Sequence, residues 1–499
     1  MTSALTSRSL DILDAIRQRR DADAPTHGGR VLSYVYDSGL AELDELAAEA
    51  IRIMQPVNGL DPTTFPSVAS MERDIVRFAR NMLHGDENVV GSVTSGGTES
   101  CLLAVKTARD LWRTAGGVGV PRIIAPITVH AAFAKAAHYF GVELDLVSVA
   151  PDGQVNPGHL QARFGPDVAL VVVSAPAYPH ASLDPVATVA AAAQTAGIPC
   201  HVDACIGGWV LPWWTDRGAA LGPWDFTVPG VTSISADLHK YGYAPKGASV
   251  LLHRGRDRHR AQYFATKRWP GYPVVNPTIL GSKSAGALAA AWAIIERLGE
   301  DGFAELAATC QRATDAVAQA INACDGLRVV GSPVGPLLAV ATDDSVPPER
   351  RVDPHLWADR VRTDGWLLQQ QPGITQPDGS RLPHTTHLTI TPVTESVLGS
   401  LVPALTSAAD AVRGLPAARA DDVTDQLPDE VRVALGSLLA APGALGSEEA
   451  FAALTALGIG SGDETLPSAM APLLALIEEL PAPLVERLLT ELLARLIEP

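Results

Sequence analysis

Along the chain, apolar and polar positions fall into two alternating rhythms. Continuous apolar runs of strand length occur at 122–128, 142–149, 168–174, 198–203, 231–236 and 248–253. Ala-rich segments with helical spacing lie between several of them, at 131–140 and 184–196. Strands without a polar face, alternating with helices, predict an α/β fold: a mostly parallel sheet covered on both sides by helices. A long helix is predicted over 284–322. A smaller α+β unit follows over 325–414, with strands near 327–342 and 386–392. Residues 1–84 mix helical patterns with a Pro-rich bend at 56–66. The stretch 415–499 reads as an extra helical tail. In its final helix Leu484, Val485, Leu488, Leu489, Leu492, Leu493, Leu496 and Ile497 fall on one face. This tail is expected to pack on its own subunit. No internal repeat is present.

Composition narrows the picture. The 499 residues are 47% apolar, too many for a disordered chain. The net charge of −17 argues against a nucleic-acid or anionic-membrane binder, which needs a basic footprint. The tail carries fourteen acids and four arginines, a net −10, which leaves −7 for the rest. Five scattered cysteines form no disulfide framework, and Cys200 and Cys205 lack a second pair at zinc-ligand spacing, so no metal is expected. The N-terminus lacks the apolar core of a signal peptide, and no apolar run is long enough to span a bilayer. The expectation is a cytoplasmic protein without a membrane anchor. Only six of the basic residues are lysines: Lys106, Lys135, Lys240, Lys246, Lys267 and Lys283.

The chemistry sits in short motifs beside predicted strand ends. GSVTSGGTES (91–100) turns the chain into a helix start, where exposed amides and the Thr98 hydroxyl make an anion cradle. Gly97 stands where a nucleotide P-loop needs lysine, which disfavours a nucleoside triphosphate; an ordinary tight turn is the plain alternative. HVDAC ends a strand in Asp203, whose plain alternative is a helix cap. SISADLHKYGYAPKG places His239, Lys240 and Lys246 in one loop. A lysine after a strand can form a Schiff base if its pKa is lowered by burial or neighbouring charge. His130 and Tyr178 close two further strands; each alone reads as packing. Together an anion cradle, a histidine, an acid and a lysine meet the needs of pyridoxal 5'-phosphate: donors for the phosphate, a carboxylate for the ring nitrogen, a lysine for the aldehyde.

TSGGTES, HAAFAKAAHYFG, HVDACIGG and SISADLHKYGYAPKG resemble the sphingosine-1-phosphate lyases, pyridoxal phosphate enzymes of fold type I (aspartate aminotransferase-like), alongside the group II decarboxylases. The resemblance runs from about residue 29 to 330, weaker to about 414. It implies that Lys240 carries the cofactor, Asp203 pairs with the ring nitrogen, His130 stacks on the ring, and Gly97, Thr98 and His239 hold the phosphate. It places Tyr178 and Lys246 near the substrate as candidate bases. It implies a homodimer with a shared active site, to which Tyr36 is donated across the interface, and it puts Asn58 in the substrate's phosphate site. The chain then divides into an N-terminal segment and dimer arm (1–84), a cofactor-binding large domain (85–324), a small α+β domain (325–414) and an acidic helical tail (415–499).

Departures concentrate at the substrate. Asp61 replaces a family histidine, and a carboxylate there would repel a substrate phosphate. Val274 and Lys283 replace a tyrosine and an arginine. Trp209, Trp213 and Trp214 could wall an apolar pocket, but are expected to be core. The expected function is a lyase that cleaves a carbon–carbon bond of an amine substrate by a retro-aldol step. The alternative is an amino-acid decarboxylase, and a third reading is a non-catalytic cofactor-binding protein.

Overall fold

The computed structural model describes residues 6–216, 219–424, 445–457, 459 and 469–498. Seven strands form the main sheet: β1 (Val89–Thr94), β2 (Arg122–Pro126), β3 (Glu143–Val147), β4 (Val168–Ser174), β5 (Cys200–Asp203), β6 (Val231–Ala236) and β7 (Ser249–Arg254). Their spatial order is β1-β7-β6-β5-β4-β2-β3. β7 runs antiparallel to both neighbours, and the remaining pairs are parallel. Every residue of β4 is buried, as a strand covered on both faces requires. Helices Gly97–Thr114, Ala132–Phe140 and Val186–Thr195 are among those that cover the sheet.

β1 is a strand that periodicity does not announce, because Gly91 and Ser92 read as turn residues. Gly91 is there for close approach: a Cβ would stand 2.3 Å from the Leu251 carbonyl oxygen on β7. The predicted long helix is present as Gly286–Ala323, but Gly299 (φ 56°, ψ −170°) breaks it into two. The first half packs on helix Ala41–Met54, where Arg297 pairs with Glu42 and Gly286 faces Ile51. The second half packs on helix Pro392–Val412, where Arg312 pairs with Glu395. The three tryptophans follow the core expectation. Trp209 is 1% exposed and stacks on Phe78, Trp213 stacks on Phe303, and Trp214 is buried.

The small unit holds an antiparallel sheet in the order β8 (Leu327–Val329), β9 (Leu337–Thr342), β11 (Thr385–Thr389), β10 (Gln369–Gln371). The predicted strand near 327–342 is therefore two strands. The predicted 386–392 stops at 389, because Thr391 and Thr394 form a capping box that starts helix Pro392–Val412. β10, three glutamines, carries no apolar signal.

Helices Ser447–Ala456, Ala471–Glu479 and Ala482–Ile497 close a small core of their own around Ala450, Leu454, Leu473, Leu484 and Leu488. Of the predicted leucine face, Leu484 and Leu488 are buried while Leu489, Leu493, Leu496 and Ile497 are exposed. Buried Glu491, held by Ser447 and Arg495, takes part of the inner face instead. These helices dock on the small unit of the same chain. The Asp359 carboxylate accepts the Met470 and Ala471 N–H groups at 3.0 and 2.8 Å, capping the helix that follows.

Candidate active site

The carboxyl ends of the parallel strands converge on one cavity of about 340 Å³. β1 delivers Gly97 and Thr98, β2 delivers His130, β4 delivers Tyr178, β5 ends in Asp203, and β6 delivers Asp237, His239 and Lys240. This is where an open α/β sheet exposes its binding crevice. Gly97 is required by close packing, since a Cβ would stand 2.5 Å from Asp237 Oδ2. Buried Glu99 fixes the helix start: its carboxylate accepts the Ser95 N–H and the Ile279 N–H, both at 2.6 Å. Thr98 is exposed, and no hydrogen bond engages its hydroxyl among the described residues.

Lys240 Nζ lies 3.0 Å from Asp237 Oδ2, and Asp237 is 1% exposed. Burial alone would pull the lysine pKa down. Contrary to the lowered pKa expected of a Schiff-base lysine, the Asp237 charge outweighs burial and, without cofactor, holds the Lys240 ammonium well above the ordinary lysine range. Burial would likewise push Asp237 up; Lys240 and His239 overcome this and keep it low. His239 Nδ1 accepts the Gly247 and Ala248 N–H groups at 3.3 Å. That assigns the proton to Nε2, on the side of Asp237. Desolvation lowers the pKa of both His239 and His130, so each is a neutral donor. Asp203 is 6% exposed and accepts the Cys205 N–H through Oδ1, which also takes the Ser235 hydroxyl. No hydrogen bond engages Oδ2 among the described residues, so one oxygen of a buried carboxylate is left for a ligand.

These features fit pyridoxal phosphate: an amide cradle that a Cβ would fill, neutral histidine donors, a half-engaged acid and a lysine between them. Lys246 and Tyr36 line an adjoining cavity that shares His239. Lys246 Nζ donates to the His239 carbonyl at 3.0 Å and stands 4.6 Å from the Tyr36 ring centroid. Desolvation of the head group and the like charge of Lys240 pull the Lys246 pKa down to about 8. The resemblance implies that Tyr36 crosses a subunit interface. Here it reaches the Lys246 of its own chain and packs edge-on against Tyr241. Burial pushes its hydroxyl up to about 12. Tyr178 stacks on His387, and burial raises its pKa further still. Its hydroxyl donates to Gln369 Oε1 at 2.6 Å, while Gln369 Nε2 donates to the Tyr34 hydroxyl at 2.7 Å.

Asn58 and Asp61 do not join this group within the chain. Asn58 Oδ1 accepts the backbone N–H of Lys283, whose side chain lines a neighbouring cavity that meets the first at Ser95. The Asp61 carboxylate is engaged locally by the hydroxyls and N–H groups of Thr63 and Thr64, which hold its pKa low. Asp237, Glu99 and Gln369 carry the site's charge and shape without being singled out by sequence. Only Asp237 leaves a trace there, as an acid three residues before Lys240.

The family described as "Pyridoxal-dependent decarboxylase conserved domain" matches residues 33–337. The chain belongs to that family. Its cofactor is accordingly pyridoxal 5'-phosphate. A second family, "Pyridoxal-dependent enzyme, C-terminal putative HTH domain", matches 397–495 and thus takes in the tail. The sphingosine-1-phosphate lyase of Dictyostelium discoideum is 38% identical over 61% of this chain and 58% of its own length. That of Arabidopsis thaliana is 31% identical over 82% of this chain and 73% of its own. The structure of a Burkholderia pseudomallei sphingosine-1-phosphate lyase superposes with a TM-score of 0.74 at 31% identity, covering 83% of this chain and 92% of that one. A Lactobacillus brevis glutamate decarboxylase shares the fold, with a TM-score of 0.71 at 20% identity, covering 83% and 95%. The chain thus spans less than two thirds of the Dictyostelium relative's length.

Proposed function

We propose that this protein is a pyridoxal phosphate-dependent lyase that cleaves the bond between the amino-bearing and hydroxyl-bearing carbons of an amine substrate. The observation that carries the reading is the placement of Lys246 in the adjoining cavity that shares His239 with the Lys240 cavity, with its pKa brought to about 8. A retro-aldol cleavage needs a base for the hydroxyl proton, and a base works best when its pKa lies near the working pH. Tyr178, the other candidate, has a raised pKa and already donates its proton to Gln369. It is better suited to shaping the wall.

In this reading Lys240 would hold the cofactor aldehyde, Asp203 would pair with the ring nitrogen, His130 would stack on the ring, and Gly97, Thr98 and His239 would hold the phosphate. When bound, the cofactor would supply the electron sink for carbon–carbon cleavage. Lys246 takes the hydroxyl proton, and the hydroxyl carbon leaves as an aldehyde. Asn58 and the Lys283 cation beside it form a patch for an anionic substrate head group, reached past Ser95. The decarboxylase reading draws on Asp61 as a repelling charge. That carboxylate is engaged by Thr63 and Thr64, which favours the lyase.

The protein is further proposed to be a cytoplasmic homodimer. Helix Ser7–Arg20 has no buried residue and exposes Leu10, Leu13 and Ile16, and a lone helix of that length is marginal in water. The five cysteines are free. No described helix is long and apolar enough to cross a membrane.

The deciding experiment is a panel of amine and amino-acid substrates read by product. An aldehyde plus an amine fragment is expected; released carbon dioxide would establish the decarboxylase. Lys240→Ala is expected to abolish the borohydride-trapped cofactor adduct, and a persisting adduct would refute the assignment of that lysine.

A further inference from the structure

Where the C-terminal helices meet the small unit, three side chains from three elements converge. His355 stands in the first turn of helix Pro354–Thr363, His384 immediately precedes β11, and Glu478 lies in the last turn of helix Ala471–Glu479. One ligand-type atom from each lies within 4.8 Å of the others. They face a cavity of about 250 Å³. We propose that this junction binds one transition-metal ion of the zinc class through His355, His384 and Glu478.

The geometry around the three residues leaves lone pairs that an ion can take by displacing the proton that Asp353 and Glu478 hold on His384. His355 Nε2 lies 3.1 Å from the carbonyl oxygens of both Gln371 and Thr385. Carbonyls only accept, so Nε2 carries the proton and Nδ1 keeps its lone pair, with no partner among the described residues. His384 Nε2 donates to Asp353 Oδ2 at 2.8 Å. Asp353 is itself fixed, because its other oxygen accepts the His355 and Leu356 N–H groups, each at 2.9 Å. Glu478 is nine-tenths buried; Arg381 holds one of its oxygens, and the other, Oε1, makes no hydrogen bond among the described residues. It lies 3.5 Å from His384 Nδ1.

Metal-binding histidines characteristically donate the remote ring nitrogen to a carbonyl or carboxylate, which orients the ring and raises its basicity. Both histidines are held that way. Two imidazoles and one carboxylate select zinc-like ions over magnesium or calcium, and leave a fourth position open toward the cavity. Tetrahedral ligands about 2.1 Å from zinc stand roughly 3.4 Å apart, so a small inward swing of the rings completes the site. The charges facing the ion favour it: Asp353, Glu478 and Glu479 outnumber Arg381 and Arg419, and those arginines are engaged by Glu478 and Asp421. An ion here would staple the C-terminal helices to the small unit, because Glu478 comes from one and the histidines from the other. The proposal is independent of the reaction assigned above.

The test uses the full-length, cofactor-loaded protein, stripped with a chelator and titrated with zinc. Wild type is expected to bind one equivalent more than Glu478→Gln, and zinc should slow proteolytic release of the C-terminal helices. Cobalt(II) should give the intense visible band of a tetrahedral site in wild type only. Asp353→Asn should weaken zinc binding about 10- to 100-fold, as loss of an orienting partner does. If Glu478→Gln does not fold, His355→Gln, whose amide can still donate to the two carbonyls, takes its place. Equal zinc binding by wild type and these variants would overturn the proposal. So would no zinc uptake by wild type, which would leave the cluster an ion pair between His384 and its two carboxylates.

Discussion

The charges of Lys240 and Lys246 compete for one carboxylate, Asp237, and the competition sets the two lysines apart. Lys240 wins the contact and stays protonated; Lys246 is left with the carbonyl of His239 and a pKa of about 8. The neutral fraction of Lys246 grows as pH rises through that value. The pH profile of kcat/KM is therefore expected to climb by one proton's slope and level off above about 8. Lys246→Gln should remove that limb and cost about 10²- to 10⁴-fold in rate. A limb that survives the substitution would move the base elsewhere. Gly97 offers a second check. Its added Cβ in Gly97→Ala would meet Asp237, which cannot retreat without giving up Lys240. Overpacking of about 1–3 kcal/mol converts to roughly a 5- to 150-fold loss of cofactor affinity, measured by titrating the stripped protein with pyridoxal phosphate. Asp203, His130, Tyr178 and Lys240 were legible in the sequence because each closes or follows an apolar run, and such runs end at the ligand face of a parallel sheet. Asp237 was not, since an acid in a polar loop reads as solvated until the fold buries it against lysine. Gln369 was out of reach altogether, as it meets Tyr178 across 191 positions of chain.

At the scale of elements, what was missed has a common cause: glycine or polar residues whose meaning is a contact. Gly91 marks the close approach of β1 to β7, and the three glutamines of β10 pair with β11 through backbone bonds that no apolar period reports. Gly299 is the instructive case. An Ala-rich helical pattern runs straight through it, yet its backbone is left-handed (φ 56°), and a Cβ added there would meet no atom within 4 Å. The break is thus a matter of backbone conformation alone. Gly299→Ala is expected to lower stability by about 1–2 kcal/mol, seen in chemical denaturation, without affecting cofactor binding. A neutral substitution would mean that the two halves can merge into one straight helix.

For the molecule as a whole, the seven-stranded sheet, the small antiparallel sheet and the C-terminal helices answer to three different sequence patterns: buried strands with alternating helices, short half-buried strands, and an acidic leucine-rich end. How the tail attaches was not readable, because Asp359 and Glu478 look like surface acids on amphipathic helices. Asp359→Ala removes the cap from helix Ala471–Glu479 and one hydrogen bond from Gln370. The C-terminal helices should loosen by about 0.5–2 kcal/mol, visible as faster amide exchange over 471–497, with cofactor binding unchanged. Unchanged exchange would show that the leucine core and the histidine cluster hold the tail without that cap. The chain of hydrogen bonds from Tyr178 through Gln369 to Tyr34 joins the large unit, the small unit and the N-terminal segment at the cavity wall. Widening that wall breaks one or both of these bonds. The inner bond, at half-buried Tyr178, is sheltered, whereas the outer one, at the 67%-exposed Tyr34, is the one that water or a polar substrate group can compete for.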